Sequence, residues 1–203
     1  MIKVKELVKA FGDRVIFDGI SFEIEDGEFV VFSGVSGCGK TTMLNLIGGI
    51  EHYDGGSIVV DGMDLSNKKN RLEYFRTKVS FLFQNFALSD NKTVLENLEM
   101  VSKNTRTEIS FEQALEQVGV KDKKNAKVFT LSGGEQQRVA LARIMVKKCD
   151  IILADEPTGS LDKENAEVVI SILQQLNDQG KTVILVTHDE SLKGIGSRLI
   201  NLS

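Results

Sequence analysis

The chain has 203 residues, 41% hydrophobic and 27% charged, which is typical of one soluble globular domain with a sizeable core. Its formal net charge of -4 predicts no general attraction to nucleic acid or to anionic lipid. The longest apolar runs, such as FVVF and VILV, are the length of strands, so we expect no membrane span, and no secretory signal pattern opens the chain. Its two cysteines, Cys38 and Cys149, lack metal-ligand spacing, and we expect reduced thiols in the cytosol.

The first part of the chain is predicted to form strands. Segments 1–10 and 14–28 alternate apolar and polar residues, which predicts antiparallel strands with one face in solvent. The run FVVFSG that follows is continuously apolar, as in a strand buried on both faces. A helix is predicted from Lys40 to about Ile50, and GGSIVVDG and VSFLFQ are further predicted strands.

The second part of the chain is predicted to be mixed. From about Asn85 to Cys149 the pattern becomes helical and more polar, which indicates a helical insert. DIILAD and KTVILVTH are buried strands, separated by a helix near Lys163 to Asp178. Strands that alternate with helices predict an α/β fold with a mostly parallel sheet. We interpret the charged segments NKKNR (67–71) and KDKKNAK (121–127) as solvated loops.

The clearest motif lies between the predicted strand FVVFSG and the helix after it. Gly34, four further residues, and then Gly39, Lys40 and Thr41 match a phosphate-binding loop. Its glycines let backbone N–H groups turn toward phosphate oxygens, and the helix N-terminus adds a positive dipole. We expect Lys40 to reach the β- and γ-phosphates and the Thr41 hydroxyl to bind Mg²⁺. The predicted nucleotide contacts of this loop are Gly34, Ser36, Gly37, Cys38, Gly39, Lys40, Thr41 and Thr42.

A second motif, IILADEP, is an apolar strand that ends in two carboxylates. A charge at the tip of a buried strand is costly unless it has a cation or faces a site. With a phosphate loop upstream, we expect Asp155 to hold Mg²⁺ and Glu156 to act as general base for the attacking water. Pro157 restricts the backbone of Glu156 and helps to end the strand. The alternative for the carboxylate pair is a helix cap or a surface salt bridge.

The phosphate loop, LSGGEQQR, ILADEP, GSLD and THD follow one another in this order over the whole chain. In this combination the sequence resembles an ABC-transporter nucleotide-binding domain. The residues that flank the motifs most resemble those of the lipoprotein-releasing, macrolide-efflux and antimicrobial-peptide-export branch. Within this branch, the segment LFQNFALSDNKTVLENL resembles bacteriocin-type exporters.

The resemblance implies an α/β fold: a RecA-like P-loop NTPase core with a mostly parallel sheet, an N-terminal antiparallel β subdomain and an inserted helical subdomain. It implies one domain over residues 1–203. The core and the β subdomain would occupy 1–84 and 150–203, and the helical subdomain 85–149.

The resemblance also gives roles to residues outside the phosphate loop. Gln84 would sense Mg²⁺ and touch the membrane subunit, and His188 would contact the γ-phosphate. His188 also follows a buried strand at the edge where α/β sheets bind ligands. Phe11 lies where the family places an aromatic that stacks on adenine; the alternative is a core position on an amphipathic strand. Asp162, with Ser160 and Leu161, matches the D-loop.

A second glycine turn lies in LSGGEQQR, far downstream of the first. Gly133 and Gly134 open a helix that we expect to begin around Glu135, and their N–H groups with the Ser132 hydroxyl form a second anion site. The resemblance implies that this turn closes over ATP bound to a second copy of the chain, head to tail. The two glycine turns would then be halves of one site that is split across a dimer.

The function implied is an ATPase that uses ATP and Mg²⁺ to power a membrane transporter, most readily an exporter or extractor of peptide, lipid or drug. Its partners would be a second copy and an integral membrane permease, at the cytoplasmic face of the membrane, with no nucleic acid. One alternative is an ABC ATPase of the cell-division type that transmits force to a wall-cutting partner. Another is a soluble ABC protein of ribosomes or DNA, but these carry two domains or a long coiled-coil insert. A P-loop small-molecule kinase would give LSGGEQQR no role.

Overall fold

The computed structural model describes residues 1–202, which form nine strands and six α-helices. The strands are β1 (Ile2–Phe11), β2 (Arg14–Ile24), β3 (Phe29–Ser33), β4 (Gly55–Val60), β5 (Met63–Asp64), β6 (Val79–Phe83), β7 (Ile151–Asp155), β8 (Thr182–Val186) and β9 (Arg198–Asn201). The helices are α1 (Lys40–Ile47), α2 (Lys68–Thr77), α3 (Val94–Glu99), α4 (Phe111–Gln117), α5 (Gly133–Val146) and α6 (Lys163–Asp178). Short 3₁₀ turns cover Lys103–Thr105, Lys121–Lys123, Val128–Thr130 and Glu190–Leu192.

The first sheet is antiparallel and has the strand order β2-β1-β4-β5. β1 pairs with both β2 and β4, and its inward residues Ile2, Val4 and Leu7 are buried while alternate positions face solvent. This confirms the prediction that the chain starts with antiparallel strands that have one face in solvent.

The second sheet is parallel throughout and has the order β6-β7-β8-β3-β9. All five residues of β3 and of β8 are buried, because helices or the first sheet cover both faces. Successive residues of β3 enter different cores: Val31 faces the core formed with α5 and α6, and Phe32 faces the core formed with α1 and β1. The α/β fold with a parallel sheet is therefore confirmed.

Helices α3, α4 and α5 lie on the segment predicted to be helical, and α5 packs on α3, α4 and α6. Leu98, Leu115 and Val139 carry this packing and share one core with β6 and β7. The subdomain boundaries at residues 84/85 and 149/150 stay a prediction. Within residues 1–202, the helices are all too short or too polar to cross a bilayer.

Three local predictions were wrong. The segment NKKNR belongs to α2, because the Asn67 side chain accepts from Lys69 N and Asn70 N and caps a helix whose Tyr74 is fully buried. α1 ends at Ile47 rather than near Ile50, since Gly48 closes it. α5 begins at Gly133, two residues before the predicted start. The edge strand β9 was not predicted.

Candidate functional site

The predicted site residues lie at the carboxyl ends of four neighbouring strands, at one edge of the parallel sheet. Along the order β6-β7-β8-β3, the residues at or just past the carboxyl ends are Gln84, Asp155 with Glu156, His188 and Gly34. Parallel strands place their carboxyl ends at the same edge, where open α/β sheets bind ligands. The topology therefore brings motifs together that are more than 150 residues apart in the chain.

The phosphate loop follows β3 and ends at Gly39, the N-cap of α1. Gly39 has φ +101°, and a Cβ there would lie 2.4 Å from Ile16 Cγ2, so only glycine fits. The buried Lys40 ammonium donates to the carbonyls of Gly34 (2.9 Å) and Val35 (3.2 Å), so the lysine lies across the loop. A phosphate would offer it stronger, charged acceptors.

The rest of the loop is accessible to a ligand. Ser36 and Gly37 are exposed, Gly34 and Thr42 are half-buried, and the half-buried Cys38 packs against the core on the α1 side of the sheet. The Arg14 guanidinium donates to the Gly37 carbonyl at 2.8 Å. Arg14 was missed because nothing local in the sequence connects it to the loop, 23 residues away.

One cleft of about 330 Å³, which we call the Phe11 cleft, joins the phosphate loop to the end of the acidic strand β7. Its lining includes Phe11, Arg14, Gly37, Gly39, Lys40, Thr41, Thr42, Glu156 and His188. Phe11 is 49% exposed, so the alternative that it is a core residue is wrong. The Lys9 ammonium lies 4.3 Å from the Phe11 ring centroid, which fixes one face of the ring as a cation contact.

Thr41 and Asp155 meet directly. The Thr41 hydroxyl donates to an Asp155 carboxylate oxygen at 3.0 Å. Burial raises the pKa of Asp155, and the Thr41 hydrogen bond partly opposes the shift. Within residues 1–202 there is no cluster of three or more His, Cys, Asp or Glu side chains that could bind a metal through protein ligands alone. One hydroxyl and one desolvated carboxylate suit Mg²⁺, which binds through one or two protein oxygens together with phosphates and waters.

Glu156 has a strained backbone and a close partner. Its φ is +47°, although it is not glycine and it precedes Pro157, so the proline does not hold it extended. One carboxylate oxygen accepts from His188 N at 3.1 Å. The other is buried without a hydrogen bond, and His188 Nε2 lies 3.3 Å from it. A buried acceptor without a hydrogen bond leaves one position open for a further donor.

Gln84 is exposed and lines a neighbouring cavity with Asp155, Gly133 and Ser160. Its amide lies beside Gly159, where a Cβ would be 3.2 Å from Nε2. Asp155 thus lies between the phosphate-loop side and the Gln84 side. Thr41 lines the Phe11 cleft, and Gln84 lines the neighbouring cavity.

The second glycine turn starts α5. Ser132 Oγ accepts from Glu135 N (3.2 Å), and the Glu135 carboxylate accepts from Ser132 N (2.8 Å), so the two residues form a capping box. The lining of the Phe11 cleft, traced over residues 1–202, includes Lys40 but not Ser132 or Gly134. Asp162 is the N-cap of α6 and accepts from Asn165 N at 2.9 Å, and hydrogen bonds from Asn165 lower its pKa.

Two residues of LSGGEQQR have contacts that were not predicted. The fully buried Gln137 donates to the Pro157 carbonyl at 2.7 Å, and Arg138 donates to Asn165 Oδ1. They connect α5 to the acidic strand end and to the start of α6. The local signal was the run of four polar side chains, EQQR, before the apolar run VALA.

The family model described as "ABC transporter" matches residues 17–159, which is more than half of the chain. The chain belongs to the ABC transporter family. With its phosphate loop and acidic strand end, it is the ATP-hydrolysing subunit of a membrane transporter. The resemblance in the sequence is thereby confirmed.

Three relatives illustrate the branch. The lipoprotein-releasing system ATP-binding protein LolD of Bacteroides thetaiotaomicron is 39% identical, with 100% of this chain and 96% of LolD covered. The macrolide export ATP-binding/permease protein MacB of Aggregatibacter actinomycetemcomitans is also 39% identical, but the chain spans only 33% of MacB. The putative hemin import ATP-binding protein HrtA of Staphylococcus aureus is 38% identical over 98% of this chain and 95% of HrtA.

A solved structure has the same fold. The dimeric ATP-binding cassette MJ0796 in a post-hydrolysis state, bound to ADP and Pi, superposes with a TM-score of 0.86 at 34% identity. The match covers 100% of this chain and 94% of that one. The ABC cassette fold with one antiparallel and one parallel sheet is confirmed.

Proposed function

We propose that this ATPase powers the export or membrane extraction of a peptide, lipid or drug, and that it acts as a head-to-tail dimer under a permease. The observation that carries the catalytic part is the Phe11 cleft, where Lys40, Thr41, Glu156 and His188 share one lining and Asp155 bonds to Thr41. The names LolD and MacB support release or export, whereas HrtA is named for import. None of these names favours the cell-division alternative.

Within the cleft each side chain has a distinct task. Phe11 offers a ring face to adenine, and the loop N–H groups with Lys40 bind the β- and γ-phosphates. Thr41 and Asp155 would hold Mg²⁺, directly or through water, and the ion would supply charge stabilisation at the phosphates.

Glu156 takes the proton of the attacking water at its unsatisfied oxygen, while His188 fixes that carboxylate and approaches the γ-phosphate. Gln84 would sense Mg²⁺ from the other side of Asp155.

The dimer would supply the second glycine turn. Ser132 is exposed, and the first N–H groups of the 14-residue helix α5 form an anion site at a helix N-terminus. The dimeric MJ0796 supports this arrangement. Asp162 lies next to this turn through Asn165, so it would lie at the same interface.

The permease would bind in a groove of about 770 Å³ between α2, β6 and α5. The groove is lined by apolar Ile50, Phe75 and Met100 and basic Arg76, Arg143 and Lys147, among others. Phe75 and Met100 are 44% and 62% exposed. No carboxylate among residues 1–202 lines it. A short apolar permease segment with a carboxylate would complement both properties, and it would keep the protein at the cytoplasmic face of the membrane.

The test is Glu156→Gln, which keeps the size of the side chain but removes its basicity. Steady-state ATP hydrolysis should fall by roughly 10²–10⁴-fold, as for loss of a general base. Binding of a fluorescent ATP analogue should remain. Glu164→Gln, in the first turn of α6, is the control and should hydrolyse normally. Near-normal turnover by Glu156→Gln would remove Glu156 from the mechanism.

A further inference from the structure

The turn after β6, residues 84–87, has a strained backbone. Phe86 has φ +62° and Ala87 has φ +47°, and neither is glycine. Ala87 N donates to Asn85 O at 2.7 Å, which closes a three-residue γ-turn centred on Phe86. Conformations of this kind persist only where the surroundings hold them, and they cluster at functional sites.

Arg143 of α5 is what holds this turn. Its Nη1 donates to Ala87 O at 2.5 Å and its Nη2 donates to Phe86 O at 3.2 Å. The flat guanidinium fork fits two successive carbonyls in a way that a lysine ammonium does not. Burial lowers the pKa of Arg143, and the structure shows it no ion pair with a carboxylate of residues 1–202. The cation is therefore paired only with neutral carbonyls.

The turn at residues 84–87 contacts parts of the site that lie far apart in the sequence. It begins at Gln84, whose amide lies beside Gly159. The Phe86 ring lies beside Gly133, where a Cβ would be 3.7 Å from Cζ. Arg143 itself lines the groove described above. One guanidinium thus touches the groove on one side and the Gln84 turn on the other.

We propose that Arg143 is a positioning residue for ATP hydrolysis, which sets the place of Gln84 relative to Asp155 through the 84–87 turn. This inference rests on the proposed role of Gln84 in the site.

The experiment compares Arg143→Met, which keeps length and burial but removes the donors, with Arg143→Lys. Arg106→Met is a matched control, because Arg106 also donates to two backbone carbonyls, those of Val101 and Glu99, in the same helical region. Hydrogen exchange of a peptide that contains the Phe86 and Ala87 amides should accelerate in Arg143→Met about tenfold or more, as for one lost charge-assisted hydrogen bond. Arg143→Lys should be intermediate and Arg106→Met unchanged.

Hydrolysis gives the second readout. In Arg143→Met we expect kcat to fall and the Mg²⁺ concentration for half-maximal rate to rise, with affinity for the ATP analogue within about twofold, because the loss lies after binding. In a Gln84→Ala background Arg143→Met should add little, since residues that act through one another are not additive. Should Arg143→Met fail to fold, Arg143→Lys and Arg143→Gln carry the same comparison.

The outcomes separate this inference from the function on which it rests. If Gln84→Ala hydrolyses normally while Arg143→Met still speeds exchange of the turn, the assigned role of Gln84 fails but the hold by Arg143 stands. Unchanged exchange in Arg143→Met would overturn the proposal. Fully multiplicative losses of kcat in the double variant would overturn it as well.

Discussion

At the scale of single residues, the charge of Asp155 is disfavoured by its surroundings in the fold. Burial raises its pKa from the ordinary value of 3.8, against the Thr41 hydrogen bond and the charges of His188 and Lys40. Since the folded-state pKa is above the unfolded one, the folded state binds this proton more tightly. The contribution of Asp155 to stability is therefore present at low pH and is lost as pH rises through the carboxyl range.

Asp155→Asn should accordingly raise the melting temperature of the nucleotide-free protein at pH 7.5 and change it less at pH 4, where the native carboxyl takes up its proton. The same change should abolish the further stabilisation by MgATP, because the amide is a poor ligand for Mg²⁺. Thermal melts at both pH values, with and without MgATP, make the measurement.

Asp178→Asn, an exposed carboxylate at the end of α6, serves as the control and should leave the MgATP effect intact. A full MgATP-dependent gain in Asp155→Asn would contradict the assignment of Asp155 to the metal.

At the scale of elements, α5 and the start of α6 approach so closely that a glycine is required between them. A Cβ on Gly134 would lie 2.3 Å from Asn165 Oδ1, and Asn165 is also bonded to Asp162 and Arg138. Asn165 therefore connects the second glycine turn, at Gly134, to Asp162 at the start of α6. Gly133, one residue earlier, has only ordinary contacts, with nearest atoms at 3.7 and 3.8 Å.

Gly134→Ala should destabilise the protein by about 1–3 kcal/mol, as for overpacking of a well-packed contact. Gly133→Ala should be nearly neutral and is the matched control. Asn165→Ala makes room for the added methyl group, so the double variant should lose less than the sum of the two single changes. Urea denaturation gives these free energies of unfolding. Equal losses at positions 133 and 134, or strict additivity with Asn165→Ala, would contradict the close approach.

The same elements show what the sequence could predict about the fold. α6 was predicted from Lys163 to Asp178 and is found there, because a capping aspartate and a regular apolar face define it locally. The strands of the parallel sheet were predicted because burial on both faces makes them continuously apolar. α2 was missed because its charges are those of a loop, and only its packing reveals that Tyr74 is buried.

The site divides in the same way. Parallel strands ending at one edge made the meeting of the phosphate loop with Asp155 and Glu156 predictable. Contacts between distant segments were not, such as Gln137 with the Pro157 carbonyl and Arg143 with the Phe86 carbonyl. The left-handed backbone of Glu156 was also unforeseen, since a residue before proline is ordinarily extended.

At the scale of the whole molecule, we propose that the two glycine turns are two unlike halves of one site. The Phe11 cleft holds Lys40, and Ser132 lies outside its lining over residues 1–202. If a second copy supplies Ser132, damage to Lys40 and damage to Ser132 must be complementary when they are on different chains. Two variants that are each defective should then rebuild one intact site on mixing.

The test uses a Glu156→Gln background, so that bound ATP is held and not consumed. Lys40→Ala on one chain removes the phosphate contact, and Ser132→Arg on the other blocks the second glycine turn. A mixed dimer contains one doubly damaged site and one intact site, which pairs Lys40 of one chain with Ser132 of the other. We expect the mixture to retain more nucleotide after gel filtration with MgATP than either variant alone.

Ser171→Arg, an exposed position on α6, controls for the added arginine and should retain nucleotide fully by itself. If both glycine turns closed on one ATP within a single chain, mixing could not rebuild a site, because each chain would keep its own lesion. Strong ATP-dependent retention by a protein that stays monomeric would decide for that arrangement. Retention that appears only in the mixture, and together with dimer, would instead require Ser132 to act on the nucleotide of its partner.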